Sequence, residues 1–143
     1  MEINGVAHIM LTVSRFDQAR PFYHGLLALL GMKPAIEEDG LLYYVGGRTA
    51  VGVVRGASQY GDERFVQLRV GLHHVCFRAR ARADVDLVHQ YLRQSGWKIV
   101  HPPQEGPWAP GYYSVLFEDP DGIRIEVNHV PGKGLLEGGE SKG

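Results

Sequence analysis

The chain has 143 residues, of which 44% are hydrophobic and 22% are charged. This length and balance fit one globular domain and exclude a chain that is disordered throughout. The formal net charge is −1, so the composition disfavours nucleic acids and anionic membranes as partners. A single cysteine, a start without signal-peptide character and the lack of an apolar run of about 20 residues predict a cytoplasmic protein with no membrane span.

The first half of the chain predicts one strand, one helix and three further strands. Residues 5–11 alternate in hydrophobicity, as a strand does. Residues 17–30 carry apolar side chains at helical spacing, and Gly31 follows as a stop signal. Short strands are predicted near residues 32–37, 41–46 and 49–55, with glycine-containing turns between them.

The second half repeats this order. Residues 71–77 resemble residues 5–11, a helix is predicted at 83–95, and strands are predicted near 97–101, 112–118 and 123–129. We therefore predict an α+β fold with two βαβββ modules, at about 5–55 and 71–130, joined by a linker at 56–70. Together they would form one domain over residues 1–130, followed by a flexible tail at 131–143.

Three polar residues are predicted on the sheet faces that the helices do not cover. Side chains alternate along a strand, so the apolar rows would face the helices while His8, His74 and Glu126 face away, each in the middle of its strand. Two imidazoles and one carboxylate can bind one face of a divalent metal and leave positions open for a substrate. On spacing alone, the simpler interpretation of a hydrogen-bonded His and a solvated Glu stays open.

Three motifs connect the sequence with a known family. They are the strand starts Ala7-His8-Ile9 and His73-His74-Val75, the pairs Phe22-Tyr23 and Leu30-Gly31, and the run from Phe117 to Glu126. With these motifs the chain resembles, over about residues 5–130, the vicinal oxygen chelate superfamily. That group includes glyoxalase I, extradiol dioxygenases, fosfomycin-resistance transferases and bleomycin-resistance proteins.

The resemblance implies paired βαβββ modules with curled mixed sheets that form a metal-binding cup, and it implies a homodimer. It also implies that His8, His74 and Glu126 are the metal ligands. A further acidic ligand late in the first module, as in a four-ligand glyoxalase I, is missing. Glu126 lies four residues after Gly122, and the position four residues after Gly47 is Val51. The three-ligand set suits iron, manganese, zinc or nickel.

Further residues are predicted to serve a small-molecule substrate. Tyr113, on the strand beside the last one, is the preferred acid–base residue. Arg124 and Asn128 share the predicted face of Glu126 and, like Arg78, could bind an anionic or carbonyl group. Trp108 could line an aromatic pocket. His73, on the predicted helix-facing row, is expected in the core or at an interface.

Several functions remain open on this evidence. A metal-dependent enzyme acting on neighbouring oxygens, with extradiol-dioxygenase-like chemistry slightly ahead, fits the three-ligand set. A glyoxalase-type lyase or isomerase would need a base for which Val51 offers no carboxylate, and a fosfomycin-type transferase would need a basic cluster that the sequence does not supply. A drug- or metabolite-binding resistance protein is the non-enzymatic alternative.

Overall fold

The computed structural model describes residues 1–132, so nearly all of the predicted tail lies outside the described residues. The chain divides into two compact units, Met1–Phe65 and Val66–Gly143. Each unit has one helix and a four-stranded mixed sheet in the order βαβββ. The predicted fold class is therefore confirmed.

The first unit contains five regular elements and a short 3-10 turn at Ser58–Tyr60. These elements are β1 (His8–Val13), α1 (Phe16–Leu29), β2 (Lys33–Glu38), β3 (Leu41–Gly46) and β4 (Thr49–Arg55). The sheet order is β1-β4-β3-β2, with β1 parallel to β4 and the other pairs antiparallel. Helix α1 buries its apolar stripe, including Phe22 and Leu26, while Val51 and Val53 are buried on β4.

The second unit repeats this arrangement. Its elements are β5 (Val75–Arg78), α2 (Arg82–Ser95), β6 (Ile99–Glu105), β7 (Tyr113–Glu118) and β8 (Arg124–His129). The sheet order is β5-β8-β7-β6, again with the first strand parallel to the last. Helix α2 packs against β6, β7 and β8. No helix among residues 1–132 is long and apolar enough to cross a membrane.

The strands that carry the predicted histidines begin later than expected. His8 is the first residue of β1, and His74 precedes β5. The prediction of mid-strand positions is correct for Glu126 and wrong for both histidines. The paired ladders begin at His8–Ala50 and Val75–Ile125, so the alternating residues ahead of them belong to no strand.

Strand β6 is longer than predicted, because it continues through Pro102 and Pro103 to Glu105. The pairing with β7 shifts register between Ile99 and His101 and again between His101 and Gln104. Strand β6 lies at the edge of its sheet, where proline and bulges are tolerated because one side needs no ladder hydrogen bonds.

Candidate active site

Glu126 occupies the centre of the second sheet. It lies on β8, opposite Cys76 of β5 and Leu116 of β7, and its side chain keeps only 13% of its exposure. The Tyr112 hydroxyl donates a hydrogen bond to Oε1 of this carboxylate. The Nε2 atom of His74 lies 3.5 Å from the other oxygen, Oε2. The pattern of alternation therefore placed the carboxylate on the predicted face of its strand.

A chain of hydrogen-bond contacts extends from the other side of the His74 ring. The Gln67 amide nitrogen lies 3.3 Å from Nδ1 of His73, which in turn lies 2.7 Å from Nδ1 of His74. The donor and acceptor roles of the two imidazole nitrogens depend on their tautomers. In the tautomer that holds the hydrogen of His74 on Nδ1, Nε2 offers its lone pair on the side of Glu126.

This network corrects one part of the expectation for His73, its placement in the core. The residue is exposed within the second unit and contacts His74 ring to ring, with centroids 5.0 Å apart, so it is not a core residue. Alternation along a strand could not predict this, because residues 73 and 74 lie outside β5. Outside a strand, neighbouring side chains need not point to opposite faces.

A cavity of about 570 Å³ opens beside these groups within the second unit. Its wall is formed by the residues Gln67, His73, His74, His101, Gln104, Glu105, Gly106, Pro107, Trp108, Tyr112, Ser114, Leu116 and Glu126. This volume lies within the usual range of small-molecule sites. Histidines, amides and aromatic rings surround it, and none of these lining residues is a lysine or an arginine.

Tyr113 and Tyr112 occupy opposite sides of the sheet. The Tyr113 hydroxyl donates to Asp86 of α2 at 2.5 Å, and the Arg82 guanidinium lies 3.7 Å from the centre of its ring. The hydrogen bond to Asp86 raises the pKa of Tyr113. Tyr113 thus contacts the helix, and Tyr112 is the tyrosine at Glu126. The sequence could have indicated this, because Val115 is buried and lies two residues after Tyr113, on the same face of the strand.

The two arginines predicted to bind substrate lie outside the cavity lining. Arg124 pairs with Glu118 through a 3.0 Å contact of its Nε atom. Arg78 donates to the backbone carbonyl of Gly132 at 2.8 Å. Asn128 also lies outside the lining, and its buried Oδ1 atom has no hydrogen-bond partner in the described part of the chain. The guanidinium groups of Arg78 and Arg124 therefore already have protein partners.

The environment of Glu126 keeps its neighbours protonated. Desolvation by the surrounding strands, followed by the charge of Glu126, raises the pKa of the Cys76 thiol to about 12, although that side chain retains solvent contact. Desolvation and the hydrogen bond to Glu126 also raise the pKa of Tyr112. At neutral pH both groups are hydrogen donors, so Cys76 is a poor nucleophile.

The position of the first unit that is equivalent to Glu126 carries a different residue. Met10 pairs with Gly52 as Cys76 pairs with Glu126, so the counterpart of Glu126 is Gly52. The count from the turn glycine that gave Val51 is wrong by one residue. The β3–β4 hairpin pairs Gly46 directly with Thr49, whereas five residues separate the paired ends of β7 and β8. No acid stands at either position.

His8 is exposed in the first unit, and its ring makes an edge contact with Tyr43 at 6.3 Å between centroids. Among residues 1–132, no three His, Cys, Asp or Glu side chains form a group that could hold a metal ion. The structure brings His74 and Glu126 together as a pair, in one unit.

The fold and the sequence define the class of protein. The family model of the Glyoxalase/Bleomycin resistance protein/Dioxygenase superfamily matches residues 5–127. The chain belongs to this superfamily, as the resemblance of its motifs implied.

Individual relatives agree with this assignment. The uncharacterized protein YqjT of Bacillus subtilis (strain 168) is 29% identical over 122 residues, which cover 84% of this chain and 94% of that protein. A candidate glyoxalase from Bacillus halodurans is 27% identical, with a TM-score of 0.79 over 89% of this chain and 96% of its own. The lactoylglutathione lyase of Agrobacterium tumefaciens, at 21% identity and a TM-score of 0.65 over 90% and 96% of the two chains, shares the fold.

Proposed function

We propose that the protein is a divalent-metal-dependent enzyme whose metal is held by His74 and Glu126, with His8 as the third ligand. Its substrate would be a small molecule with two neighbouring oxygens, and extradiol-dioxygenase-like chemistry is the favoured reaction. His8 enters the proposal through its equivalence to His74 in the repeat. The observation that carries the proposal is the pair formed by His74 and Glu126.

The pair supports a cation because a ring nitrogen and a carboxylate oxygen face each other. The Nε2 atom of His74 lies 3.5 Å from Oε2 of Glu126. In the tautomer with the hydrogen on Nδ1, this nitrogen presents a lone pair to the carboxylate, and two facing lone pairs are stabilised by a proton or a metal ion between them. Two ligands bound at about 2.1 Å to one ion lie about 3.0 to 3.4 Å apart, so the observed separation needs only a small adjustment.

The surrounding residues fit a ligand pair as well. Metal-binding histidines usually donate their other ring N–H to an acceptor, which fixes the tautomer and the ring orientation. The Nδ1 atom of His73, 2.7 Å from Nδ1 of His74, can accept that hydrogen, and the Tyr112 hydroxyl donates to the carboxylate of Glu126. A divalent ion here would bind both substrate oxygens and stabilise negative charge on them. Tyr112, in contact with Glu126, is a positioning residue in this proposal.

The alternatives within the superfamily have less support. A glyoxalase-type isomerase would need a carboxylate from the first unit, where Gly52 occupies the equivalent position. A fosfomycin-type transferase would need cationic groups for a phosphonate, and the cavity lining contains none. The missing base and the missing cations favour the three-ligand oxygenase site.

The decisive experiment measures metal content and metal affinity. Protein purified without a metal-affinity tag is stripped, reloaded with iron, manganese, zinc or nickel in turn, and analysed by elemental analysis and calorimetry. We expect near-stoichiometric binding of one of these ions and a loss of at least about 100-fold in affinity for Glu126→Gln and His74→Ala. Iron or manganese would justify oxygen-uptake assays with catechols.

Glu105→Gln provides the matched control. Glu105 is a second glutamate on the same cavity wall, but its carboxylate pairs with Arg82 at 3.5 Å. This variant should retain the metal. Equal affinity in Glu126→Gln and wild type, or no binding of any of the four ions, would contradict the proposal.

A metal-free binding protein is the second candidate. It is favoured by the cavity itself, where Trp108 is 70% exposed on an aromatic wall, and by the lack of a three-donor group among residues 1–132. Such a protein would bind its ligand equally well after metal removal. The calorimetric comparison of stripped and loaded protein therefore separates the two candidates.

We also propose a homodimer in the cytoplasm, as the sequence predicts. Light scattering coupled to size-exclusion chromatography tests the dimer, and cell fractionation tests the location.

A further inference from the structure

The cavity of the second unit has an aromatic wall that the proposed metal chemistry does not use. Trp108 is 70% exposed. Burial of its large apolar surface would stabilise the fold more than burial of a smaller apolar side chain. Trp108 lies on the cavity wall beside Tyr112. An exposed aromatic ring at the mouth of a cavity is typical of a ligand-contact surface.

The loop that carries Trp108 is closed by its own hydrogen bonds. The Gly106 amide donates to the Tyr112 carbonyl at 3.1 Å, and the Tyr112 amide donates to the Ala109 carbonyl at 3.1 Å. The backbone of Gly106 also packs against the Trp108 ring. A Cβ atom on Gly106 would lie 3.2 Å from Cδ1 of Trp108 and 3.2 Å from Cδ1 of Tyr112. Both rings therefore rest on the bare backbone of Gly106, and little ordering is needed when a ligand binds.

The charges of the wall select against anions. Two carboxylates, Glu105 and Glu126, line the cavity without any lysine or arginine. Arg78 and Arg124, the candidates for binding an anionic group, are paired elsewhere. A carboxylate or phosphonate on the ligand would lose its hydration without gaining a cationic partner.

The remaining polar groups suit neutral hydroxyl or carbonyl groups. Gln67 and Gln104 carry amides that both donate and accept, and His101 belongs to the same lining. We infer that the cavity selects an uncharged, planar, ring-containing ligand that stacks on Trp108. The orientation of its neighbouring oxygens toward Glu126 rests on the proposed function, whereas the stacking and the charge selection do not.

Calorimetry on metal-stripped protein tests this inference with three probes. Catechol is planar and neutral, 3,4-dihydroxybenzoate adds one carboxylate to the same ring, and cis-cyclohexane-1,2-diol keeps the two oxygens without the planar ring. We expect catechol to bind at least about 10-fold more tightly than either of the others. Catechol binding should also quench the fluorescence of wild-type protein, and the quench should disappear in Trp108→Phe.

Variants of the loop locate the contact. Trp108→Ala should weaken catechol binding about 5- to 10-fold, while Trp108→Phe, which keeps a stacking ring, should retain most of the affinity. Gly106→Ala should weaken binding a few-fold, because the new methyl group displaces both rings. Tyr60→Ala removes an exposed ring of the first unit and should have no effect.

The two proposals fail in different ways. Unchanged catechol affinity in Trp108→Ala, equal or tighter binding of 3,4-dihydroxybenzoate, or no catechol binding at millimolar concentration would overturn the stacking inference, whatever the metal experiment shows. Absence of metal binding would overturn the proposed enzyme. The effect of Trp108→Ala on catechol affinity could still be measured, because that assay uses metal-stripped protein. Circular dichroism of each variant verifies that the second unit is folded.

Discussion

The two units have the same order of strands but use their exposed sheet faces differently. In the first unit the central position of the last strand is Gly52, and an added Cβ there would collide with the Met10 thioether, so the methionine lies across bare backbone. In the second unit the same position is Glu126, in contact with Tyr112 and His74. One copy of the repeat is filled by an apolar side chain, while the other presents polar groups to a cavity. A duplicated fold can therefore keep its backbone register while the central position of its last strand carries different residues in the two copies.

The largest difference in stability should lie in the turn before the last strand. In the second unit the buried Asp119 accepts hydrogen bonds from the amides of Asp121 and Ile123 at 2.9 and 2.8 Å. Asp119→Ala leaves both buried donors without this acceptor, so the free energy of unfolding should fall by about 2 to 4 kcal/mol. Asp119→Asn keeps one acceptor oxygen and should lose about 1 kcal/mol. Urea denaturation measures both, and equal losses would show that the carboxylate oxygen is not the stabilising group.

The next effect tests whether the first unit can accept the carboxylate of the second. Gly52→Glu buries a charged side chain under Met10 and should lower the free energy of unfolding by about 2 to 3 kcal/mol. Gly52→Ala should cost about 1 kcal/mol or less, since the end of Met10 is flexible. Adding Met10→Ala to Gly52→Glu should recover part of the loss. Strictly additive free energies in this double-mutant cycle would contradict the contact.

Two neighbouring tyrosines at the start of β7, Tyr112 just before the strand and Tyr113 as its first residue, sharpen the comparison within the second unit. If Glu126 binds metal, Tyr112→Phe should weaken metal affinity about 10-fold, because the carboxylate loses the donor that orients it. Tyr113→Phe removes the contact with Asp86 on the helix side and should leave metal affinity unchanged. Calorimetric titration of metal into both variants measures the two affinities. Equal effects would mean that Tyr112 does not act through Glu126.

The smallest effect concerns a tyrosine–glutamate pair in the first unit. The Tyr44 hydroxyl donates to Glu37 at 2.7 Å, and this bond lowers the pKa of Glu37, while burial and the same bond raise the pKa of Tyr44 to about 12. A lowered carboxyl pKa stabilises the fold above the usual carboxyl range, and that contribution is lost as the pH falls through the lowered value.

Tyr44→Phe should therefore raise the pKa of Glu37 toward its ordinary value and flatten the acid side of the stability profile. NMR titration of the Glu37 side chain measures the shift. Tyr43→Phe, one residue earlier in the same strand, should leave the Glu37 pKa unchanged. A Glu37 pKa that stays low in Tyr44→Phe would assign the effect to His24, whose Nδ1 lies 3.3 Å from the same carboxylate.

Local patterns predicted the element order well, because helical spacing and turn residues act within a few positions. The bounds of β3 and β4 followed from the turn residues that separate these strands, and the face of Glu126 followed from alternation. The starts of β1 and β5 did not, because the hydrophobic alternation extends to residues ahead of the paired segments. The choice of Tyr112 over Tyr113 depended on knowing which alternate residues of β7 are buried against the helix. The equivalence of Gly52 and Glu126 required the strand register, which no count along the chain supplies.

The contact between His73 and Gln67 has a consequence for the segment that joins the two units. Gln67 belongs to the stretch before β5, and its amide nitrogen lies 3.3 Å from Nδ1 of His73, which lies 2.7 Å from Nδ1 of His74. An amide group donates through its nitrogen and accepts through its oxygen, so the orientation of Gln67 and the tautomers of both imidazoles are linked. A change in the conformation of this stretch would therefore alter what the imidazole of His74 offers at Glu126, an electron pair or a proton.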